Sequence, residues 1–268
     1  GASGVKKKLG LVLRGMAAGS SILSYRNRLA RRLRRERPDL VQSNGMKMHV
    51  LGAWSAPRGV PVVWHLHDYV GSRPAMARLL RLSARRNVRG VAVSESVATD
   101  VHTALGVRFP VRTIYNAVDL GRFRPETGFG TELDRAAGLP EAEMGTVRVG
   151  LVATFATWKG HDVFLKAVGR LPADLPARFY IIGGPIYRSA DSQVSLDDLK
   201  AEARRLGLEN RVGLTGHQAD PARVMQGLDV VVHASTRPEP FGRVIVEAMA
   251  AGRAVAAMSE GGAAELFN

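Results

Sequence analysis

The sequence predicts an α/β protein made of two Rossmann-like, doubly wound domains that face each other across a cleft. Three observations predict it. Short apolar runs alternate with helical spacings along nearly the whole chain. Several runs are continuously apolar, as strands buried on both faces of a parallel sheet must be. A stretch rich in Gly, charge and polar residues, without a strand pattern, divides the alternation in two.

In the first half, Leu11–Leu13 reads as a strand. Ile22–Arg37 reads as a helix that stops before Pro38, because a proline ring disfavours helical geometry in the residue ahead of it. Strands are expected at Asp39–Val41, Pro61–Leu66, Val91–Val93 and Val111–Tyr115, and helices near Met46–Trp54, Pro74–Arg86 and Ser96–Leu105. Arg124–Leu139 (RPETGFGTELDRAAGL) reads as the linker. The domains expected are therefore residues 1–126, a linker over 127–145, and residues 146–268.

The second half opens on VRVGLVA (147–153), a buried parallel strand. Gly160–Arg170 has Val163, Phe164, Ala167 and Val168 at helical spacing. Arg178–Ile182 is a strand closed by Gly183 and Gly184, and a polar loop follows. Leu196–Leu206 is a helix, Val212–Leu214 a short strand, Pro221–Met225 a short helix and Asp229–His233 a strand. Phe241–Ala251 reads as a helix with Gly252 just past its end. Ala254–Ala257 is the last strand.

Composition narrows the function. Hydrophobic residues make up 46% and charged residues 23% of the 268, the balance of a globular chain with a core. The absence of cysteine excludes disulfides, thiolate metal sites and cysteine nucleophiles. No apolar run approaches the roughly 18 residues of a membrane-spanning helix, and no signal-peptide pattern opens the chain. A cytoplasmic setting is the resulting expectation.

The net charge of +14 is unevenly placed. Residues 1–126 hold 23 Lys and Arg against 7 Asp and Glu, a net of +16, and residues 127–268 hold 15 against 17, a net of −2. A basic surface can meet nucleic acid, anionic lipid or an anionic substrate. SYRNRLARRLRRER (24–37) reads as a basic amphipathic helix, with Ile22, Leu29 and Leu33 on one side and Lys6–Lys8 nearby. The same pattern also fits an exposed helix that packs its apolar side on its own sheet. Nucleic acid is disfavoured, because aromatics are only 6% and no recognition motif accompanies the charge.

The segment most suggestive of chemistry is RPEPFGRVIVEAMAAG (237–252). Glu239 precedes a helix and Glu247 lies on it, with Phe241, Gly242, Arg243 and Val244 forming the turn between. A helix N-terminus offers N–H groups and partial positive charge to a phosphate. A carboxylate ahead of it can accept from sugar hydroxyls, and one inside it from a ribose diol. An ordinary surface glutamate pair at a helix start fits the spacing too.

EPFGRVIVEAMAAG resembles the Glu-x7-Glu region of retaining glycosyltransferases of family 4, which have the GT-B fold. WKGHDVFLKA (158–167), GLENRVGLTG (207–216), SEGGAAEL (259–266), VPVVWHLHD (60–68), VAVSESVA (91–98) and IYNAVDLGRFRP (114–125) resemble further family segments in the family's order. The resemblance implies that Lys159 binds the donor diphosphate, that Glu239 holds donor-sugar hydroxyls, and that backbone groups at Phe241, Gly242, Arg243 and Val244 cradle the phosphates. It implies that Glu247 binds the ribose, that the loops holding Gly184 and His217 meet the base, and that His67 stands near the anomeric carbon. Residues 65 and 67 of a strand point the same way. His67 is favoured over His65 because it is nearer the strand end and precedes Asp68.

Two local departures accompany the resemblance. Thr154 stands where the family usually has an arginine, so Lys159 acts alone or with Arg243. Ala117 replaces a glycine in Asn-Gly-Val-Asp. Family members are also longer at both ends, so the 268 residues are expected to be most of a larger protein. The reaction implied is retaining, metal-independent transfer from a nucleotide-diphosphate sugar to a glycan, lipid-linked or small-molecule acceptor in cell-envelope or polysaccharide synthesis. It requires no cofactor. The basic half would bring the protein to the cytoplasmic face of an anionic membrane. The alternatives are a nucleic-acid-binding protein and a sugar-nucleotide epimerase of the same fold.

Overall fold

The computed structural model describes residues 2–84, 87–185 and 193–267, and for residues 2–18 the backbone alone. The end of the helix expected over Pro74–Arg86, the side chains of Lys6–Lys8 and most of the polar loop after Gly184 lie outside the described residues. The chain divides into two compact units, Gly1–Tyr115 and Asn116–Asn268.

The first unit runs α1 (Ala2–Glu36), β1 (Val41–Asn44), α2 (Met46–Ser55), β2 (Val62–Leu66), α3 (Pro74–Ser83), β3 (Val88–Ala92), α4 (Glu95–Leu105) and β4 (Val111–Thr113). Its four strands are parallel, in the order β1-β2-β3-β4. In β2, Val62, Trp64 and Leu66 are fully buried, and Val63 and His65 are half-buried. The Ser94 hydroxyl caps α4 by accepting from the Val97 N–H at 3.1 Å. Pro74 begins α3, where its missing N–H costs nothing.

The strand expected at Leu11–Leu13 is instead part of α1, which is continuous from Ala2 to Glu36. Three apolar residues alone do not distinguish strand from helix. Val5, Leu9, Val12, Leu13 and Met16 recur every three or four residues, which is the helical period. Near its end α1 packs on its own unit: Ala30 is buried, Leu29 and Leu33 are half-buried, and the Ser55 hydroxyl donates to the Arg26 carbonyl at 3.3 Å. Ile22, Leu23 and Tyr25 remain exposed. Among the described residues no helix is long and apolar enough to cross a membrane.

The second unit runs α5 (Gly130–Ala136), β5 (Val147–Val152), α6 (His161–Val168), β6 (Ala177–Ile182), α7 (Leu196–Arg205), β7 (Val212–Gly216), α8 (Pro221–Gln226), β8 (Val230–His233), α9 (Arg243–Ala250) and β9 (Ala254–Ala257). Its parallel sheet has the order β7-β6-β5-β8-β9. That order reverses direction beside β5, as doubly wound sheets do at the place where they bind ligands. Strand β6 shows why both faces are covered. Phe179 and Ile181 enter a core with Phe164, Leu165 and Leu199 of α6 and α7, while Tyr180 and Ile182 enter another with Met225, Val231 and Ala248.

Residues 116–126, assigned from the sequence to the first domain, belong to the second unit. Phe123 is buried in the Tyr180 core, and the Arg253 guanidinium donates to the Glu126 carbonyl at 3.0 Å. The segment read as a linker likewise packs. It carries α5, whose Leu133 joins that core. The glycines and charges that made it look like a tether surround one short amphipathic turn.

That turn also brings in Asp134, which is 1% exposed. Its carboxylate accepts from Tyr180 at 2.5 Å, Arg148 and Arg178 at 2.8 Å each, and the Ala142 N–H at 3.1 Å. Burial pushes its pKa up, but the four donors outweigh burial and hold it at about 2. The buried phenol of Tyr180 is pushed up in turn. Asp134→Ala should therefore cost about 3–5 kcal/mol in a denaturation experiment, since it leaves two largely buried guanidiniums without their anion. The carboxylate's folded value lies below its unfolded 3.8, so its contribution of about 2 kcal/mol is complete above that pH and is lost as pH falls toward 2. Acid titration of stability should show that loss in the wild type and not in the variant.

Candidate functional site

The carboxyl ends of the central strands of the second unit are laced together by backbone hydrogen bonds. Ala153 N–H reaches Ile182, Phe155 N–H reaches Gly184, Gly183 N–H reaches Gly216, and Thr236 N–H reaches Trp158, all between 2.8 and 3.0 Å. These loops and the start of α9 enclose a cleft of about 550 Å³. Thr154, Lys159, Gly184, His217, Glu239, Gly242, Arg243, Val244 and Glu247 all line it. Phe241 is buried and does not line it.

Glycine fits two of these loops by necessity. Gly160 has φ +72°, and a Cβ there would meet the Ala234 carbonyl oxygen at 1.9 Å. The close approach seats the Thr157–Lys159 turn on the loop that follows β8. Gly242 has φ +95° and sits at the head of α9. It turns the chain so that the first turn of α9 begins beside the cleft, with the Ile245 N–H donating back to the Gly242 carbonyl at 3.0 Å.

Lys159 Nζ lies 2.7 Å from Glu239 Oε2. Burial pushes the Glu239 pKa up, but the hydrogen bond from His233 and the charge of Lys159 outweigh it and hold the carboxyl at about 2. The backbone of Glu239 is pinned by the Gly-Gly segment of 259–266: the Gly262 N–H donates to the Glu239 carbonyl at 2.7 Å. Glu247 behaves oppositely. Its side chain is 13% exposed, and burial raises its pKa despite Arg243, whose guanidinium donates to Oε1 at 2.9 Å. A Cβ on Gly184 would touch His217 at 3.2 Å, so these two positions are neighbours.

Two residues that touch Glu239 in the cleft are not among the candidates the sequence suggests. His233 and Ser235 both touch Glu239, and both are buried. Their signal was present: in a doubly wound sheet the residues just past a strand end face the ligand side, and β8 ends at His233.

His67 belongs to the first unit, immediately past the end of β2. Its ring centroid lies 3.9 Å from that of His65, and its Nε2 is buried without a hydrogen-bond partner. Burial and the neighbouring His65 lower its pKa, against the opposing pull of Asp68. The structurally engaged histidine of this unit is His49. It is 1% exposed, bonded to the Ser43 hydroxyl at 2.8 Å and stacked on Trp64 at 5.5 Å, with its pKa lowered to about 4 by burial, His67 and His65.

Residues 140–268 match the family described as Glycosyl transferases group 1, and residues 8–122 match Glycosyltransferase Family 4. The lipopolysaccharide core biosynthesis mannosyltransferase LpsB of Rhizobium meliloti is 30% identical over 233 residues, covering 80% of this chain and 64% of its own. A D-inositol 3-phosphate glycosyltransferase of Mycobacterium marinum is 35% identical over 164 residues, 60% of this chain and 32% of its own. The chain thus spans less than two thirds of either relative's length. Among solved structures, Anabaena HepE in complex with UDP is 29% identical with a TM-score of 0.77, covering 91% of this chain and 65% of that one. In complex with UDP-glucose, HepE is 31% identical with a TM-score of 0.74, covering 86% and 62%. Together with two Rossmann-like units and a cleft beside the Glu-x7-Glu helix, these matches show that the chain belongs to the family 4 glycosyltransferases of the GT-B fold class.

Proposed function

We propose that this chain transfers a sugar from a nucleoside-diphosphate sugar to an acceptor, with retention at the anomeric carbon and without a metal ion. One observation carries the reading: Lys159, Glu239, Glu247 and the start of α9 converge on a single cleft in the second unit. The UDP and UDP-glucose held by HepE support a donor of this class.

The residues divide the work by charge. Lys159 and the N–H groups of α9 neutralise the departing diphosphate, which is where negative charge develops. Arg243 lies at the mouth of the cleft and adds a second cation. Glu239, ionised at any working pH, accepts from donor-sugar hydroxyls. Glu247 accepts from the ribose diol, and the Gly184–His217 pair meets the base. In the transfer step the bond from the anomeric carbon to the phosphate oxygen breaks and the bond to the acceptor oxygen forms on the same face. The acceptor proton passes to the departing phosphate, so the configuration is kept and nucleoside diphosphate is released. We assign His67 to the acceptor side of this reaction.

The acceptor we favour is a glycan or lipid-linked sugar of cell-envelope or polysaccharide synthesis, which LpsB also supports by its role in lipopolysaccharide core biosynthesis. The first unit, residues 1–115, holds 21 Lys and Arg against 5 Asp and Glu. It would meet an anionic membrane through the exposed Ile22, Leu23 and Tyr25 and the arginines of α1. None of the relatives named above is a nucleic-acid-binding protein or an epimerase.

Three outcomes test the reading. In the full protein, Lys159→Ala should lower the rate of nucleoside diphosphate release by about 10²–10³-fold, far more than it weakens folding; unchanged turnover overturns the assignment. Glu247 titrates above the ordinary glutamate value, whereas Glu239 stays ionised down to about pH 2. Binding of UDP measured by calorimetry should weaken as pH falls through the raised Glu247 value. Glu247→Gln should remove that pH dependence, weaken binding about tenfold and abolish the preference for UDP over its 2′-deoxy form. Co-sedimentation with anionic vesicles should fall steeply with salt and vanish with neutral vesicles, since each basic residue near the surface adds about 1 kcal/mol.

A further inference from the structure

One oxygen of Glu239 collects three donors. Oε2 lies 2.7 Å from Lys159 Nζ, 3.0 Å from Ser235 Oγ and 3.3 Å from His233 Nε2, and Ser235 Oγ is itself 3.2 Å from that imidazole nitrogen. The geometry assigns the protons. Ser235 donates its O–H to Glu239. The Nε2–H of His233 is shared between the Ser235 oxygen and Glu239. His233 Nδ1 is buried and has no hydrogen-bond partner. A lone pair is tolerated there, whereas an N–H would be an orphaned buried donor.

The three donors differ in how firmly they are held. Lys159 carries its charge on a flexible four-carbon stem and is the cation that an incoming diphosphate attracts. His233 closes β8, paired with Ala257 of β9, and its side chain is only 5% exposed. Ser235 is 4% exposed, two residues farther on. Neither can follow a ligand. A carboxylate deprived of its cation in a site that a bound sugar has dried must keep other donors or lose its placement.

We propose that His233 and Ser235 are the positioning residues of the donor-sugar site, anchoring Oε2 of Glu239 while Lys159 passes from that oxygen to the donor diphosphate. The inference rests on the donor-site reading above and adds to it a handover: the ion pair with Glu239 is the resting place of the phosphate-binding cation. It also predicts where the effect of the anchors is felt. With nucleoside diphosphate alone the sugar subsite stays wet, and water can replace either anchor. With the sugar present it cannot.

The test is calorimetric binding to the full protein of UDP and UDP-glucose, and of GDP and GDP-mannose, using whichever pair the wild type binds. Ser235→Ala and His233→Leu should each weaken the nucleotide sugar about tenfold while changing the nucleoside diphosphate by less than about twofold. His233→Gln, whose amide nitrogen can stand near Nε2, should restore nucleotide-sugar binding to within about threefold of the wild type. Ser235→Ala alone keeps the test decisive where His233→Leu fails to fold. Equal weakening of both ligands, or no weakening of the nucleotide sugar, overturns the inference and leaves the donor site standing. A wild type that binds neither pair overturns the donor site and this inference with it.

Discussion

The contact between Gly160 and the Ala234 carbonyl sets up the rest of the second unit's chemistry. No side chain fits at position 160, so the loop after β5 can lie directly on the loop after β8. The Thr236 N–H, donating to the Trp158 carbonyl at 2.8 Å, fastens the two loops. Lys159 leaves one loop and Glu239 the other, 80 residues apart in sequence, and they meet at 2.7 Å. Without that backbone approach, the cation and the carboxylate would belong to separate surfaces. A motif spread over distant segments becomes a site because one glycine lets two loops touch.

The two glutamates of the cleft show how environment separates identical groups. Both are largely buried, and burial opposes ionisation in each. Glu239 overcomes it with the His233 imidazole and the Lys159 ammonium, both on one oxygen. Glu247 has Arg243, a long side chain 70% exposed to solvent, whose attraction water screens. One carboxylate is therefore a fixed anion, suited to orienting neutral hydroxyls, and the other is held above the ordinary glutamate value. The difference lies in how firmly the partners are held rather than in how many charges are near.

Much of this was legible in the sequence because parallel strands and their helices leave strong patterns. Val147–Val152 and Ala254–Ala257 stand where their apolar runs place them, and α9 begins within two residues of its expected start. The errors share a cause. Leu11–Leu13 was too short a run to reveal its period, and the glycine-rich composition around α5 hid a buried turn. His233 was passed over because an apolar strand gives no sign of what its last side chain touches. Hydrogen bonding between segments such as His233 and Glu239, or Asp134 and Arg178, depends on three-dimensional closure and has no local signature.

Charge placement survives the change of boundary and gains meaning from it. Residues 116–126 carry two basic and two acidic side chains, so moving them to the second unit leaves the division at +16 and −2. The second unit, which carries the proposed donor cleft, is close to neutral overall. In the proposed reaction a few placed groups, Lys159, Arg243 and the first turn of α9, would meet the anion at short range, where screening is weak. The diffuse positive charge of the first unit has the opposite character. Spread over exposed arginines such as Arg32 and Arg35, it is screened within about 10 Å at ordinary ionic strength and has little selectivity for a single small ion. A broad anionic surface is the partner that can engage many such charges at once. The two units thus differ in the range of their charge: a few placed groups lining the cleft of the second, and charge distributed over the exposed surface of the first.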